Sequence, residues 1–391
     1  MVRNASLFSQ LLQLVPRSLF ASIVHKHRGE HGAKGFTCWS QFTAMLFCHL
    51  AQTGSLREIC YGLACCLGKL VHLGIKRSPS KSNLSYANAH RPAEMYEEFF
   101  WGMLDHIRSL NCFGSKKHNF RFKNKLYSVD STTISLCLSL FPWAKFRRAK
   151  GGVKAHVALD HDDYMPSFVL ITSAKTHDSK ILSLLEFQPE SIVVLDRAYN
   201  DFTYFGLWCE SKVWFVTRLK DNTVYEVVRE CTPPKNRNIR SDQHIRLGGV
   251  NAQAKCPHIL RRVVVWDAQH NREIILLTNH LDFGATTIAD IYKERWQIEL
   301  FFKALKQNLK IKSFVGTSEN ALRIQIWTAL IAMLLLKWMH YRSKANWSFS
   351  NLVVLLRLNL FTYRNLGEWL DSPFDTPPEQ AAPEQLEFGF G

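Results

Sequence analysis

Two aspartates and one short polar run carry the chemistry open to this sequence. Asp130 follows the run Leu126-Tyr127-Ser128-Val129, and Asp196 follows Ile192-Val193-Val194-Leu195. Both runs have the β-branched and apolar character of buried strands. A carboxylate at the mouth of such a strand is expensive unless it is solvated, paired or bound to a cation. In open α/β sheets the strand ends are also where ligands bind. The competing role for each is an ordinary cap or turn aspartate. A third acid, Glu299, lies between Ile291 and Lys310. On one helix at about 100° per residue, Tyr292, Arg295, Glu299 and Lys306 share a stripe about 60° wide. Ile291, Ile298, Phe301, Phe302, Leu305 and Leu309 form a separate apolar stripe suited to a core. An Arg295–Glu299 surface pair would account for part of that row. It accounts for neither the tyrosine nor the two strand-end aspartates.

Taken together, these residues resemble the bacterial insertion-sequence transposases of the DDE class, in the cut-and-paste family with a Tyr-x2-Arg-x3-Glu-x6-Lys signature. Tyr292, Arg295, Glu299 and Lys306 meet every spacing of that signature. Asp196-Arg197-Ala198-Tyr199 is similar to the family's Asp-x-x-Tyr, and Asp130-Ser131-Thr132 to its Asp-Ser/Thr pattern. The aspartates are 66 residues apart, and 103 residues separate Asp196 from Glu299. The resemblance implies an α/β fold, a ribonuclease-H-like mixed sheet flanked by helices. To this it adds a β-strand insertion and a helical N-terminal DNA-binding domain. It implies that Asp130, Asp196 and Glu299 are catalytic and hold two Mg²⁺ (or Mn²⁺) ions, which suit all-oxygen donors. Tyr292, Arg295 and Lys306 would hold phosphates near the cut. The partners implied are double-stranded DNA (terminal inverted repeats and target) and a second copy of the chain, as a homodimer on DNA. Two other functions fit the same residues: a DNA-binding repressor derived from a transposase, and a ribonuclease-H-fold nuclease without strand transfer. One departure concerns a tryptophan that some relatives place before a Leu-Leu-Thr run. Here that position is Ile274, and Trp266 lies one strand earlier, most simply a core residue.

The elements that must position these residues follow from periodicity. Strands are expected at 126–129, 153–159, 167–172, 192–195 and 213–217, with helical stretches at 178–186 and 201–210. Further strands are expected at 223–228, 244–247, 260–266 and 273–278, uninterrupted by helix, and a helical block from about 285 to 370. Lys154 and His156 fall on the strand beside that of Asp130, and Thr176-His177-Asp178 opens the next helix. Lys154, His177 and Tyr199 are accessory candidates, while Asp178 is expected to be an N-cap. Upstream, helices are expected at 7–15, 40–50 and 55–73. A capped helix after Ser80 would carry Lys81, Asn83, Asn88 and Arg91, either as a DNA-groove reader or as a solvated helix. The expected divisions are 1–120 (DNA-binding), 121–220 and 281–371 (catalytic core), 221–280 (β insertion) and 372–391 (flexible tail).

Composition agrees with a polyanionic partner. The chain has 391 residues and 49 Lys+Arg against 33 Asp+Glu, a net charge of +16. Its longest apolar stretch, Ile326–Leu336, is about half a bilayer span and suits a buried helix rather than a membrane. The ten cysteines show no Cys-x-x-Cys pair and suit reduced thiols. With no convincing secretory signal, the expected location is the bacterial cytoplasm, at the nucleoid. The tail Gln385-Leu386-Glu387-Phe388 is similar to peptides that bind the replication sliding clamp.

Overall fold

The structure, a computed structural model, describes residues 5–375 apart from 34, 67–68, 111–119, 148–149, 236, 310 and 312. The clamp-like tail lies outside the described residues. Side-chain caps set the first helices. Ser6, Thr37, Ser55 and Ser80 each accept from a backbone N–H three residues on. They open α1 (Leu7–Gln13), α3 (Cys38–Ala51), α4 (Leu56–Ala64) and α5 (Lys81–His90), while α2 (Arg17–Lys26) follows Pro16. At α4 the cap is reciprocal: Glu58 reaches back to the Gly54 N–H at 2.6 Å. The helix expected over 55–73 stops at Ala64 and resumes as a 3₁₀ turn, Lys69–Leu73. The last upstream helix is α6 (Ala93–Ser109).

The sheet begins with β1 (Leu126–Leu136), β2 (Lys145–Arg147), β3 (Lys150–Asp160), β4 (Met165–Ser173) and β5 (Ile192–Leu195). After α7 (Phe202–Glu210) come β6 (Trp214–Arg218), β7 (Tyr225–Cys231) and β8 (Ile239–Leu247). Then follow α8 (Val250–Lys255), β9 (Leu260–Asp267) and β10 (Arg272–Thr278). β1, β3 and β4 form an antiparallel meander, and β5 and β6 run parallel to β1. β10 pairs antiparallel with β6, so β10-β9-β8-β7 extend the same ten-stranded sheet. The segment expected as an insertion is therefore continuous with the central strands. It also contains one helix, α8, that strand patterning hid. Gly206 admits α8: a Cβ there would lie 2.2 Å from the Lys255 carbonyl oxygen.

Alternation along the strands gives the sheet two apolar faces. Val129, Val193, Leu195 and Phe215 pack on Phe205 and Trp208 of α7. Leu126, Ile192, Val194 and Val216 pack on α9 (Ala285–Glu294). Beyond α9, the chain forms α10 (Trp296–Asn308), α11 (Glu319–Arg342), α12 (Phe349–Asn359) and α13 (Leu366–Asp371). Ile134 and Leu136 of β1 join one core with Phe301 of α10, Leu335 of α11 and Met45, Phe99 and Phe100 of α3 and α6. The upstream helices are thus built around α11 rather than around a core of their own. α11 is apolar enough to span a bilayer by composition, with a mean hydropathy of 1.4, but 83% of that window is buried inside the fold. Leu335→Ala should lower unfolding free energy by about 2–5 kcal/mol, read from the midpoint of chemical denaturation.

Candidate active site

Backbone pairing brings the two aspartates together first. In the parallel β1–β5 pair, Leu126 lies opposite Ile192, Ser128 opposite Val194 and Val129 opposite Leu195. Asp130 and Asp196 are the next residues along, at the carboxyl end of the pairing. By the two-residue alternation both belong to the face covered by α9 and α10. Asp130 is not at a strand end, however. β1 runs on to Leu136 against β3, and only β5 stops at Leu195. The apolar run before Asp130 marks the length of the parallel pairing, not that of the strand.

The third acid arrives on a helix pair. The single helix expected through Ile291–Lys310 breaks at Arg295, the residue between α9 and α10. There the ladder shifts to three-residue steps, Arg295 N–H to Tyr292 O and Ile298 N–H to Arg295 O, each 3.2 Å. Tyr292 sits on α9, and Glu299 and Lys306 on α10. At the junction Arg295 spans the gap: Nη1 donates to Asp130 Oδ2 at 3.1 Å and Nη2 to Glu299 Oε1 at 2.5 Å. Its guanidinium is 15% exposed and lies 5.7 Å from the centre of the Tyr292 ring. Its Nε is buried with no hydrogen-bond partner. Lys306, two turns beyond Glu299, donates to the Thr133 carbonyl on β1 at 3.1 Å.

Burial pushes the Asp130 carboxyl up to about 6, and the charges of Asp196 and Glu299 push the same way. The Ser131 amide and Arg295 oppose that rise. Burial also raises the Tyr292 hydroxyl against the pull of Arg295, with Asp196 and Arg218 both near enough to act on it. Arg218, at the end of β6, is a neighbour the sequence reading did not single out; its only signal was a strand-end arginine. Asp196 is indeed a cap as well: its Oδ2 accepts from Ala198 N–H at 3.3 Å, over a 3₁₀ turn Arg197–Tyr199.

Other expected residues part company with this group. Lys81 and Asn83 are exposed on α5, whose outer surface also carries Tyr86 stacked on His90 at 4.0 Å. Arg91 does not belong with them. It is buried beyond the end of α5, and its guanidinium donates to the Phe36 and Thr37 carbonyls and to Gln41 Oε1. Those bonds tie loop to helix and leave Arg91 no outward-facing charge. His177, not Asp178, caps the turn Asp178–Leu184, accepting from Ser179 N–H. The helix expected there is a 3₁₀ segment. Lys154, Asp178 and Tyr199 gather behind β1, on the α7 side of the sheet. Trp266 is half-buried, with the Arg240 guanidinium 5.2 Å from its ring centre, and Ile274 pairs with Val265.

Comparison with known proteins follows the same residues. The family model described as the transposase DDE domain matches residues 121–335, the span holding both aspartates and Glu299. The chain belongs to the DDE transposase family. A second model, a domain of unknown function (DUF4372), matches residues 3–76 of this transposase. The protein y4zB of Sinorhizobium fredii (strain NBRC 101917 / NGR234), named as a transposase, is 34% identical over 66% of this chain and 71% of its own length. A protein named as the transposase for insertion sequence element IS5377, from Geobacillus stearothermophilus, is 32% identical over 60% of this chain and 61% of its own. A solved piggyBac transposase synaptic complex with hairpin DNA aligns over 91% of this chain and 79% of that chain, at 10% identity and a TM-score of 0.45. That likeness is too slight to add to the family assignment.

A DDE transposase is an enzyme of DNA cleavage and transfer, and its family implies a divalent metal ion. The donors here fit one in kind: three carboxylates, with no sulfur among them. Among the described residues no three acidic, histidine or cysteine side chains close around one point. Instead the Arg295 cation bridges two of the carboxylates, supplying the positive charge that such a cluster calls for.

The raised Asp130 carboxyl has a consequence for the metal-free transposase. Its ordinary value is 3.8 and its folded value about 6, so the fold favours the protonated form. Stability from this group is fully present below pH 4 and is lost as pH rises through 6. Asp130→Asn should therefore be more stable than wild type at pH 8, by on the order of 1–3 kcal/mol. The gap should close below pH 4 in thermal melts recorded with chelator.

Proposed function

We propose that this DDE transposase cuts at the ends of its own element and joins them to target DNA with Asp130, Asp196 and Glu299 as the catalytic acids. The observation that carries the reading is the Arg295 bridge. A half-buried cation draws Asp130 and Glu299 together on the sheet face that Asp196 shares. The strand order β4-β3-β1-β5-β6, with β5 and β6 parallel to β1, is what a ribonuclease-H-like core requires and supports that assignment.

In this reading the three carboxylates would hold two Mg²⁺ or Mn²⁺ ions. Bound there, such ions would supply Lewis-acid activation of the attacking oxygen and charge stabilisation for the leaving oxygen of an in-line phosphodiester displacement. The protein's share is placement and charge. Water first hydrolyses the bond to the element's 3′ oxygen, leaving a 3′-hydroxyl. That hydroxyl then displaces a 3′ oxygen in the target strand, with no covalent protein intermediate. Arg295 exchanges its carboxylate partners for a DNA phosphate. Lys306 contributes a second phosphate contact as a point charge, and the Tyr292 hydroxyl a third. Lys81 and Asn83 on α5 contact the terminal repeat, and two copies of the chain bring two ends together. The site of action is the bacterial nucleoid.

Cleavage of a duplex carrying the element's terminal inverted repeat tests the reading. Asp130→Ala, Asp196→Ala and Glu299→Ala should each reduce Mg²⁺-dependent cleavage to background while end binding survives. Wild-type cleavage by all three would overturn the assignment. Pre-nicked ends separate a transposase from a nuclease: joining to target DNA is expected, and cutting without joining would favour the nuclease. Lys81→Ala should weaken end binding and lower the salt dependence of log K by about one, measured by fluorescence anisotropy at several salt concentrations.

A further inference from the structure

Asp178 is a fourth acid close to the centre, and turn capping does not use it. His177 caps the turn, whereas the Asp178 carboxylate is directed inward and is 18% exposed. Its Oδ1 accepts from Ser131 Oγ at 2.7 Å and from Lys154 Nζ at 3.1 Å. Lys154, 13% exposed, also donates to the Thr176 carbonyl at 2.9 Å. His156 Nδ1 lies 3.6 Å from the same Asp178 oxygen, and burial lowers that imidazole to about 4. Lys154 is therefore the cation that balances Asp178 near neutral pH, and the acid adds little net repulsion behind β1.

Ser131 is the link to the front of the sheet. Its hydroxyl binds Asp178, and its backbone N–H donates to Asp130 Oδ1 at 2.7 Å. The cluster reaches the second aspartate too. Tyr199, three residues beyond Asp196, is fully buried, with its hydroxyl 3.5 Å from His156 Nδ1 and near enough to feel the Asp178 and Asp130 charges. An isolated Lys154–Asp178 surface pair would explain neither the buried His156 and Tyr199 nor the convergence on Ser131.

We propose that Asp178, balanced by Lys154, is a positioning residue. Through Ser131 it fixes the amide that orients the Asp130 carboxylate. This inference rests on the reading of Asp130 and Asp196 as catalytic acids.

The full-length chain tests it with two readouts: Mn²⁺ binding by electron paramagnetic resonance, and cleavage of end DNA. Asp178→Asn should weaken both by about 10- to 100-fold, the usual effect of losing a residue that orients a ligand, with end binding unchanged. Ser131→Ala should act in the same direction and Ser131→Thr should restore both. If Asp178→Asn fails to melt cooperatively, Ser131→Ala decides, because it leaves the Lys154–Asp178 pair in place. Wild-type Mn²⁺ affinity and cleavage in the folded variants would overturn the inference, as would lost cleavage with intact Mn²⁺ binding. Asp130→Ala in parallel separates the two claims. If it too cleaves normally, the catalytic reading fails; if it alone is inactive, only the role of Asp178 fails.

Discussion

Three acids cannot be gathered on one buried face unless something offsets their mutual repulsion and their loss of hydration. Here Arg295 does that work. It sits at the joint between α9 and α10 and reaches Asp130 and Glu299 with separate nitrogens. The break in the helix is part of the same arrangement. With Tyr292 on one helix and Glu299 on the next, the arginine is placed at the corner, where its guanidinium can lie over β1. The elevated Asp130 carboxyl shows that the offset is incomplete. A centre left partly unsatisfied in this way is suited to taking up positive charge from outside.

The sheet supplies what the helices cannot, a fixed spacing between the two aspartates. Parallel pairing from Leu126–Ile192 to Val129–Leu195 places them side by side without any long connection. The α7 side of the sheet then backs the strand ends, with Ser131 bound to Asp178 and Tyr199 buried beside His156. The Asp242–Arg261 pair shows the same economy farther out: Arg261 binds both carboxylate oxygens at 2.7–2.8 Å and also the Leu281 carbonyl, joining β8 and β9 to the loop before α9.

Much of this could be read from residue order, because local pattern and tertiary context agree. β5 runs over Ile192–Leu195 as expected, four consecutive apolar residues between polar neighbours. The spacing of Tyr292, Arg295, Glu299 and Lys306 located the helical acid. What pattern could not show was decided by partners distant in sequence. β1 continues past Asp130 because β3 pairs with it as far as Leu136, although the run Ser131-Thr132-Thr133 lacks the apolar character of the strand's first half. The joint at Arg295 has αR dihedrals, so no breaker residue announces it. Asp178 looks like a cap, and only the buried Lys154 and Ser131 draw it inward. Arg91 resembles a surface cation, yet the carbonyls of Phe36 and Thr37 claim it.

The long apolar helix α11 has a mechanical meaning. It is packed by α3, α5 and α6 on the upstream side and shares one core with α10 and β1. The surface of α5 and the carboxylates of Asp130 and Glu299 are thus mounted on one continuous core. A duplex gripped along α5 would meet the acids at a set number of base pairs from the grip, as against a ruler. Any mismatch in that length would fall first to bending or untwisting of the DNA.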